Sequence, residues 1–254
     1  CENILKVQSF FLQRLKISAA EFPKGVFYKK MSAVLDIPQT KVKTKTVRRP
    51  ITAEVVERVV LHNISWATYE KILAEYEDVP NPRFTYCDGD LEIMVLGYQH
   101  ERLKQDLSEL LVEIARVLEI DYQGAASTTF RKEKKKKGFE GDATFYFENA
   151  ELVRAKKEID LTVDPPPELV VEIDITHGSL PKFPIFAALG IKEVWRFDGE
   201  EVRIYRLENK DYKETAESVC LPQTRSERVT ELLFAAQELK KTDWLKLIRE
   251  KVKK

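Results

Sequence analysis

The sequence predicts an α/β or α+β fold in which a sheet is sandwiched by helices. Three observations carry that prediction. Apolar residues recur at three- and four-residue spacing through residues 99–119. Two Asp-Gly pairs, Asp88-Gly89 and Asp198-Gly199, each separate two short strand-like runs. Residues 168–175 hold the nearly continuous apolar run LVVEIDI, broken by two acids. The first pattern is one face of an α-helix, the second is a hairpin signal, and the third suits a central strand covered on both faces.

The elements follow in order. Ser65 is placed to cap a helix over 66–76, which Pro80 and Pro82 end. Residues 83–96 form two strands around Asp88-Gly89. The helix over 99–119, about five turns, aligns Leu103, Leu107, Leu110, Leu111, Ile114, Val117 and Leu118 in one stripe. Strands are expected over 127–130, 142–147, 159–163 and 168–175. A helix over 181–189 ends at Gly190, a natural left-handed cap. Strands over 192–197 and 202–207 flank Asp198-Gly199, with a further strand over 212–216, and helices over 229–239 and 242–253 close the chain. Trp66, Tyr69, Phe145, Tyr146, Phe186 and Trp195 fit core or half-core positions rather than a base-stacking platform.

Composition narrows the class. The 254 residues suffice for one large domain, or one domain with a tail. At 43% hydrophobic and 33% charged, the chain can build a packed core. Lys+Arg and Asp+Glu are both 42, so only local patches can speak for a nucleic-acid partner. Cys1, Cys87 and Cys220 are too few and too widely spaced for a disulfide scaffold or a cysteine zinc module, and fit a reducing, cytoplasmic setting. No run approaches the ~18 apolar residues of a membrane span, so no membrane partner is expected.

The chain opens on Cys1 rather than Met, which fits a fragment or a mis-started reading frame. Residues 3–17 mix apolar and basic residues without the continuous apolar centre of a signal peptide, and read as a short amphipathic helix or tail. Residues 41–49 (KVKTKTVRR) carry five positive charges in nine residues and read as a flexible linker. Residues 1–50 are therefore an N-terminal tail and basic linker, and the folded domain runs from 51 to 254.

The informative chemistry is acidic. Glu172 and Asp174 lie two apart in the apolar strand, so they share a face. Unpartnered carboxylates are costly to bury, so two on one face call for a metal, a cation or a cleft. Asp142 opens another strand just after Glu140, and the two strands side by side would converge three or four carboxylates. Hard oxygen ligands of that kind suit Mg²⁺ or Mn²⁺. Lys182, ten residues after Glu172, stands where it can fold back to the acids. The plainer alternative is that Asp174 caps a turn, Glu172 pairs with a surface lysine and Lys182 is solvated. Residues 131–137 (RKEKKKK) carry six positive charges and one negative between two strands. Arg131, Lys132, Lys134, Lys135, Lys136 and Lys137 are thus candidate phosphate contacts, or a solvated hairpin tip. His177-Gly178-Ser179 reads as a turn, because no nucleophile elbow surrounds it.

Five segments together resemble a known family. They are LHNISWATYEKILAEYED (61–78), GDLEIMVLGYQHERL (89–103), GFEGDATFYFENA (138–150), DPPPELVVEIDIT (164–176) and LPKFPIFAALGIKEVWRFDG (180–199). In this order they resemble the Uma-type restriction endonuclease family (domain of unknown function 820), abundant in cyanobacteria and similar to the PD-(D/E)-x-K nuclease superfamily. The resemblance implies a restriction-endonuclease-like core, a mixed central sheet flanked by helices. It also implies Mg²⁺-dependent (or Mn²⁺-dependent) hydrolysis of DNA phosphodiesters.

Carried over by position, Asp142 matches the aspartate of the "PD" element and Glu172 the acid of the next strand, both metal ligands. Lys182 matches the lysine that this family takes from the following helix, because Asp174 occupies the usual lysine position. Glu101, near the start of the first core helix, is the expected additional acid. His100 reads as a packed or hydrogen-bonding histidine. One departure stands out: Glu140-Gly141-Asp142 replaces the usual "EPD", and a flexible glycine there predicts a looser loop aiming Asp142. With Asp174, this leaves open a catalytically weak or inactive relative that binds nucleic acid or protein, and an interaction protein unrelated to nucleic acid. A symmetric homodimer would suit cutting both strands, although no sequence feature marks an interface.

Overall fold

The computed structural model describes residues 50–51, 55–76, 81–175 and 180–253. The N-terminal segment 3–17, the basic linker 41–49 and the 177–179 turn lie outside the described residues.

Two sheets form. Strands β1 (Val55–Leu61), β2 (Arg83–Cys87), β3 (Asp90–Leu96), β5 (Thr129–Lys132) and β6 (Lys137–Glu140) make a five-stranded antiparallel sheet in the order β1-β3-β2-β6-β5. Strands β4 (Gln123–Ala126), β7 (Ala143–Tyr146), β8 (Leu169–Ile173), β9 (Glu193–Phe197), β10 (Val202–Glu208) and β11 (Asp211–Thr215) make a six-stranded sheet in the order β11-β10-β9-β8-β7-β4. Only β8 and β9 run parallel in it, so this sheet is mixed. Helices α1 (Trp66–Glu75), α2 (Tyr98–Val117), α3 (Ala150–Arg154), α4 (Lys182–Leu189), α5 (Ser226–Glu238) and α6 (Lys241–Val252) pack on the sheets. The expected mixed sheet flanked by helices is present, and the second sheet is an addition that the pattern did not predict.

The local signals explain most elements. The Ser65 hydroxyl accepts from the Thr68 N–H at 3.1 Å, capping α1. Asp88 and Gly89 both take positive φ, 51° and 104°, as the tightest hairpins require. Gly190 ends α4 at φ 85°. On α2 the apolar stripe is buried: Leu103, Leu107, Leu110, Leu111 and Ile114 pack with Val171 and Ile173 of β8 and with Trp195 and Phe197 of β9. Leu232 and Leu233 of α5 and Trp244 and Ile248 of α6 complete that core. Val170 and Val194 point to the opposite face, where they meet Ile185 and Phe186 of α4 and Phe139 of β6. Strand β8 is therefore buried on both faces, as its apolar run requires. A smaller core of Tyr69, Phe84, Tyr86 and Leu91 binds α1 to the outer face of the five-stranded sheet. No helix among the described residues is long and apolar enough to cross a membrane. Cys87 and Cys220 are free thiols.

One expected strand is absent. Residues 159–163 form turns, because the Asp160 side chain accepts from the Thr162 N–H at 2.8 Å and the Asp164 side chain from the Asp160 N–H at 2.9 Å. Such local side-chain bonds compete with ladder pairing.

Two crossings of two residues each join the sheets, Ser127 and Thr128 between β4 and β5, and Gly141 and Asp142 between β6 and β7. Strand β6 ends at Glu140 in one sheet and β7 starts at Ala143 in the other, so Gly141 and Asp142 carry the chain across. The packing gives Gly141 a role of its own. Gly141 is buried, and a Cβ there would meet Val170 Cγ1 at 3.0 Å and Thr144 Cγ2 at 3.1 Å. The glycine permits a close crossing over β8.

Gly138 makes a similar close approach. A Cβ there would overlap Tyr69 Oη and lie 3.1 Å from Tyr69 Cε1 and Cζ. That hydroxyl is buried without a hydrogen-bond partner among the described residues. Gly138→Ala is expected to lower the unfolding free energy by about 1–3 kcal/mol, as overpacking does. Adding Tyr69→Phe should recover part of the loss, measurable from urea midpoints. A double variant no more stable than Gly138→Ala would contradict this packing.

Candidate active site

The sheet junction gathers charges from five elements. Asp142 stands one residue beyond the last ladder pair of β7 and β8, Ala143 with Val171. Its Oδ2 accepts from the Ile173 N–H at 2.7 Å, so the side chain continues the ladder where the backbone leaves it. His100, in the first turn of α2, brings Nε2 to 3.3 Å from the same Oδ2 and to 3.0 Å from the Ile173 carbonyl. Both side chains are about 5% exposed. The histidine is indeed packed and hydrogen-bonded, and its partner is a site residue.

Glu172 alternates with Val171 and Ile173, so it points away from α2 and toward α4. Lys182, the first residue of α4, forms an ion pair with Glu172 Oε2. Glu172 Oε1 is buried with no partner among the described residues.

Glu92 of β3 comes from the other sheet. It is paired with Thr85, which is paired in turn with Phe139, and Phe139 packs on Phe186 of α4. Glu92 therefore faces α4 and is 1% exposed. Its Oε2 accepts from the Leu180 N–H at 3.1 Å, two residues before Lys182, and its Oε1 has no partner among the described residues. Arg58 Nε lies 3.7 Å from Glu92 Oε2.

Electrostatics binds these groups into one unit. Burial alone would raise the Asp142 carboxyl, but the His100 ring, the Lys182 ammonium and the Ile173 N–H together hold it below the usual carboxylate range. Burial pushes Glu172 up to about 7; Lys182 opposes that rise, and the Asp142 and Asp174 carboxylates add to it. Burial would discharge Lys182, yet Glu172, Asp142 and Glu92 hold its pKa above the ordinary lysine value. Burial likewise favours a neutral His100, and Asp142 outweighs it, raising the imidazole. The result is a buried ammonium paired with Glu172 and held charged by the fields of Asp142 and Glu92.

The remaining candidates lie elsewhere. Glu101 turns outward, its side chain 41% exposed and paired with Lys104, so it does not join the cluster. Glu92 is the acid that does, and sequence reasoning missed it. Its sign was visible in DLEIMVL, where an acid interrupts a strand of apolar residues. Asp174 is paired with Arg196 of β9. Glu140 faces away from Asp142, accepting from the Phe84 N–H and the Thr129 hydroxyl. The basic residues 131–137 form the β5–β6 hairpin at the far end of β6. Lys137 lies five residues before Asp142, about 16 Å of extended chain. Arg131 pairs with Glu70, Lys137 with Asp88, and Lys136 with Glu133 while lying over the Trp66 ring. Lys134 and Lys135 are exposed at the tip, and Lys132 is half-buried.

Among the described residues, no three His, Cys, Asp or Glu side chains are spaced to hold a metal ion as they stand. The donor set nevertheless suits a hard divalent cation, because Glu172 and Glu92 each keep a buried carboxylate oxygen that has no partner among the described residues.

The ion pair makes an asymmetric prediction. Lys182→Met strands the facing carboxylates and is expected to cost about 3–5 kcal/mol of unfolding free energy. Glu172→Gln leaves the ammonium beside Asp142 and Glu92 and should cost clearly less. Denaturant midpoints in the reverse order would contradict the role of Lys182 as shared counter-ion.

Comparison with known proteins adds the lineage. No curated protein matches the chain. A crystal structure described as "a putative nuclease belonging to DUF820", from Anabaena variabilis, is 15% identical, with a TM-score of 0.45, covering 63% of this chain and 98% of that one. A family model matches residues 66–239, more than two thirds of the sequence. That span takes in Glu92, His100, Asp142, Glu172 and Lys182, and the chain belongs to the family described as "Uma2: Putative restriction endonuclease".

Proposed function

We propose that this protein is a metal-dependent endonuclease that hydrolyses DNA phosphodiester bonds. The observation that carries the reading is the burial of Glu92, Asp142 and Glu172 around the Lys182–Glu172 ion pair, with one oxygen each of Glu92 and Glu172 lacking a partner among the described residues. Asp142 and Glu172 are the metal ligands in this reading, and Glu92 joins them in place of Glu101. A bound Mg²⁺ or Mn²⁺ supplies Lewis acidity toward the phosphate and lowers the pKa of a coordinated water.

The chain's own residues do the rest. Ile173 and His100 fix Oδ2 of Asp142 and so set the direction of the carboxylate. Were Glu172 to hold a cation, Lys182 would be free to orient the attacking water or to offset charge developing on the phosphate. Lys132, Lys134 and Lys135 of the β5–β6 hairpin serve as outlying, sequence-independent phosphate contacts.

One observation favours a second reading, binding without cleavage. Lys182 already neutralises Glu172, and the acids are not spaced as a metal centre.

Plasmid nicking decides between them. With Mg²⁺, wild type is expected to convert supercoiled DNA to open-circular and linear forms, and EDTA to stop it. Asp142→Ala, Glu172→Ala and Glu92→Ala should each lower the rate by at least about 100-fold. Glu101→Ala should stay within a few-fold of wild type. Equal cleavage by wild type and all the acid variants would identify a contaminant. A folded wild type that binds plasmid and leaves it intact would establish the second reading.

A further inference from the structure

The described surface offers several charged groups outside the acid cluster, and one is in register with it. Glu172 of β8 is the ladder partner of Arg196 of β9, and Arg196 is the partner of Arg203 of β10. Ladder partners share a face. Val170 and Val194, two residues before Glu172 and Arg196 and therefore on the same face, pack in the core beneath α4. Tyr205, two residues after Arg203 and on its face, packs on Phe183 of α4 at 4.9 Å. Glu172, Arg196 and Arg203 therefore form one row on the α4 side of the sheet, spanning two strand spacings, about 10 Å. That length covers about three phosphates of one DNA strand along the duplex axis.

The two arginines are differently engaged. Arg203 gives Nε and Nη2 to Glu201 and lies with Nη1 2.7 Å from Asp198 Oδ2, so its fork is filled within the β9–β10 turn. Arg196 gives Nη2 to Asp174, with its side chain 33% exposed. Its fork has five donors, and the Asp174 bond uses one edge. Asp174 thus holds a partly exposed guanidinium on the strand beside Glu172 and in register with it.

We propose that Arg196 binds the DNA backbone at the phosphate next to the one being cut, with Asp174 as its positioning residue. The inference rests on the nuclease reading and adds to it the residue that seats the strand. Arginine suits the task because its planar fork can keep the carboxylate on one edge and meet a phosphate with the other. The β5–β6 hairpin, at the far end of β6, then makes the outer contacts, and Arg196 makes the inner one.

The test is anisotropy of a fluorescein-labelled duplex titrated with the full chain, in Ca²⁺ in place of Mg²⁺, across a range of salt concentrations. Arg196→Gln is expected to weaken binding about three- to tenfold, with the slope of log affinity against log salt falling by about one. Arg196→Lys keeps one cation and should restore the wild-type slope. Arg203→Gln should leave affinity and slope within twofold of wild type. A loss of the Asp174 ion pair alone would alter thermal stability without changing the salt slope. Equal slopes for wild type, Arg196→Gln and Arg196→Lys would therefore overturn the proposal while leaving the nuclease reading standing. Failure of wild type itself to bind duplex DNA would overturn both.

Discussion

A buried ammonium group holds this site together. Three carboxylates from separate stretches of chain could not share a water-poor pocket at neutral pH without a cation among them. Lys182 provides it, bonding Glu172 in the fields of Asp142 and Glu92. Its position follows from the fold. Residue 182 opens α4, and α4 lies between the two sheets through Phe186 and Ile185. The pocket is thus built from both sheets, with β3 giving Glu92, β8 giving Glu172 and the crossing segment giving Asp142.

That crossing explains the glycine at position 141. The chain moves from one sheet to the other in two residues, against Val170 and Thr144, where a side chain has almost no room. Asp142 comes directly after it and is fixed at once by Ile173 and His100. Precise aim here comes from the partners of the carboxylate rather than from a rigid backbone residue. The same ammonium that permits the cluster also fills it. Replacement of that charge by a divalent ion would free Lys182 for a second task, so one residue can serve stability in one state and chemistry in the other.

Much of this was legible in the sequence, for identifiable reasons. The stripe on α2, the Asp-Gly hairpins and the LVVEI strand are local signals, and local signals survived folding. Asp142, Glu172 and Lys182 stood out because acids in apolar strands need company. The second sheet did not stand out. Its strand β6 is four residues, KGFE, at the end of a lysine run, and the edge strand of the mixed sheet, β4, is QGAA, likewise with little strand character of its own. Those strands exist because neighbours complete their ladders. Glu92 was missed for the same reason: it reaches the site only through the pairing of β3 with β2 and of β2 with β6. Glu101 was expected from the resemblance, as an acid near the start of the first core helix, but the first turn of α2 directs His100 inward and Glu101 to Lys104. The strand expected at 159–163 was lost to Asp160 and Asp164, whose side chains close turns on their own backbone.

The most direct measurement of the central claim is calorimetric titration of Mn²⁺ into the metal-free full-length chain, without nucleic acid, for wild type and Glu172→Gln. A carboxylate cluster built to exchange its ammonium for a divalent ion predicts saturable binding to wild type, and weakening of at least about tenfold when one ligand oxygen becomes an amide nitrogen. Identical isotherms for the two proteins, or no Mn²⁺ binding by wild type, would contradict the account.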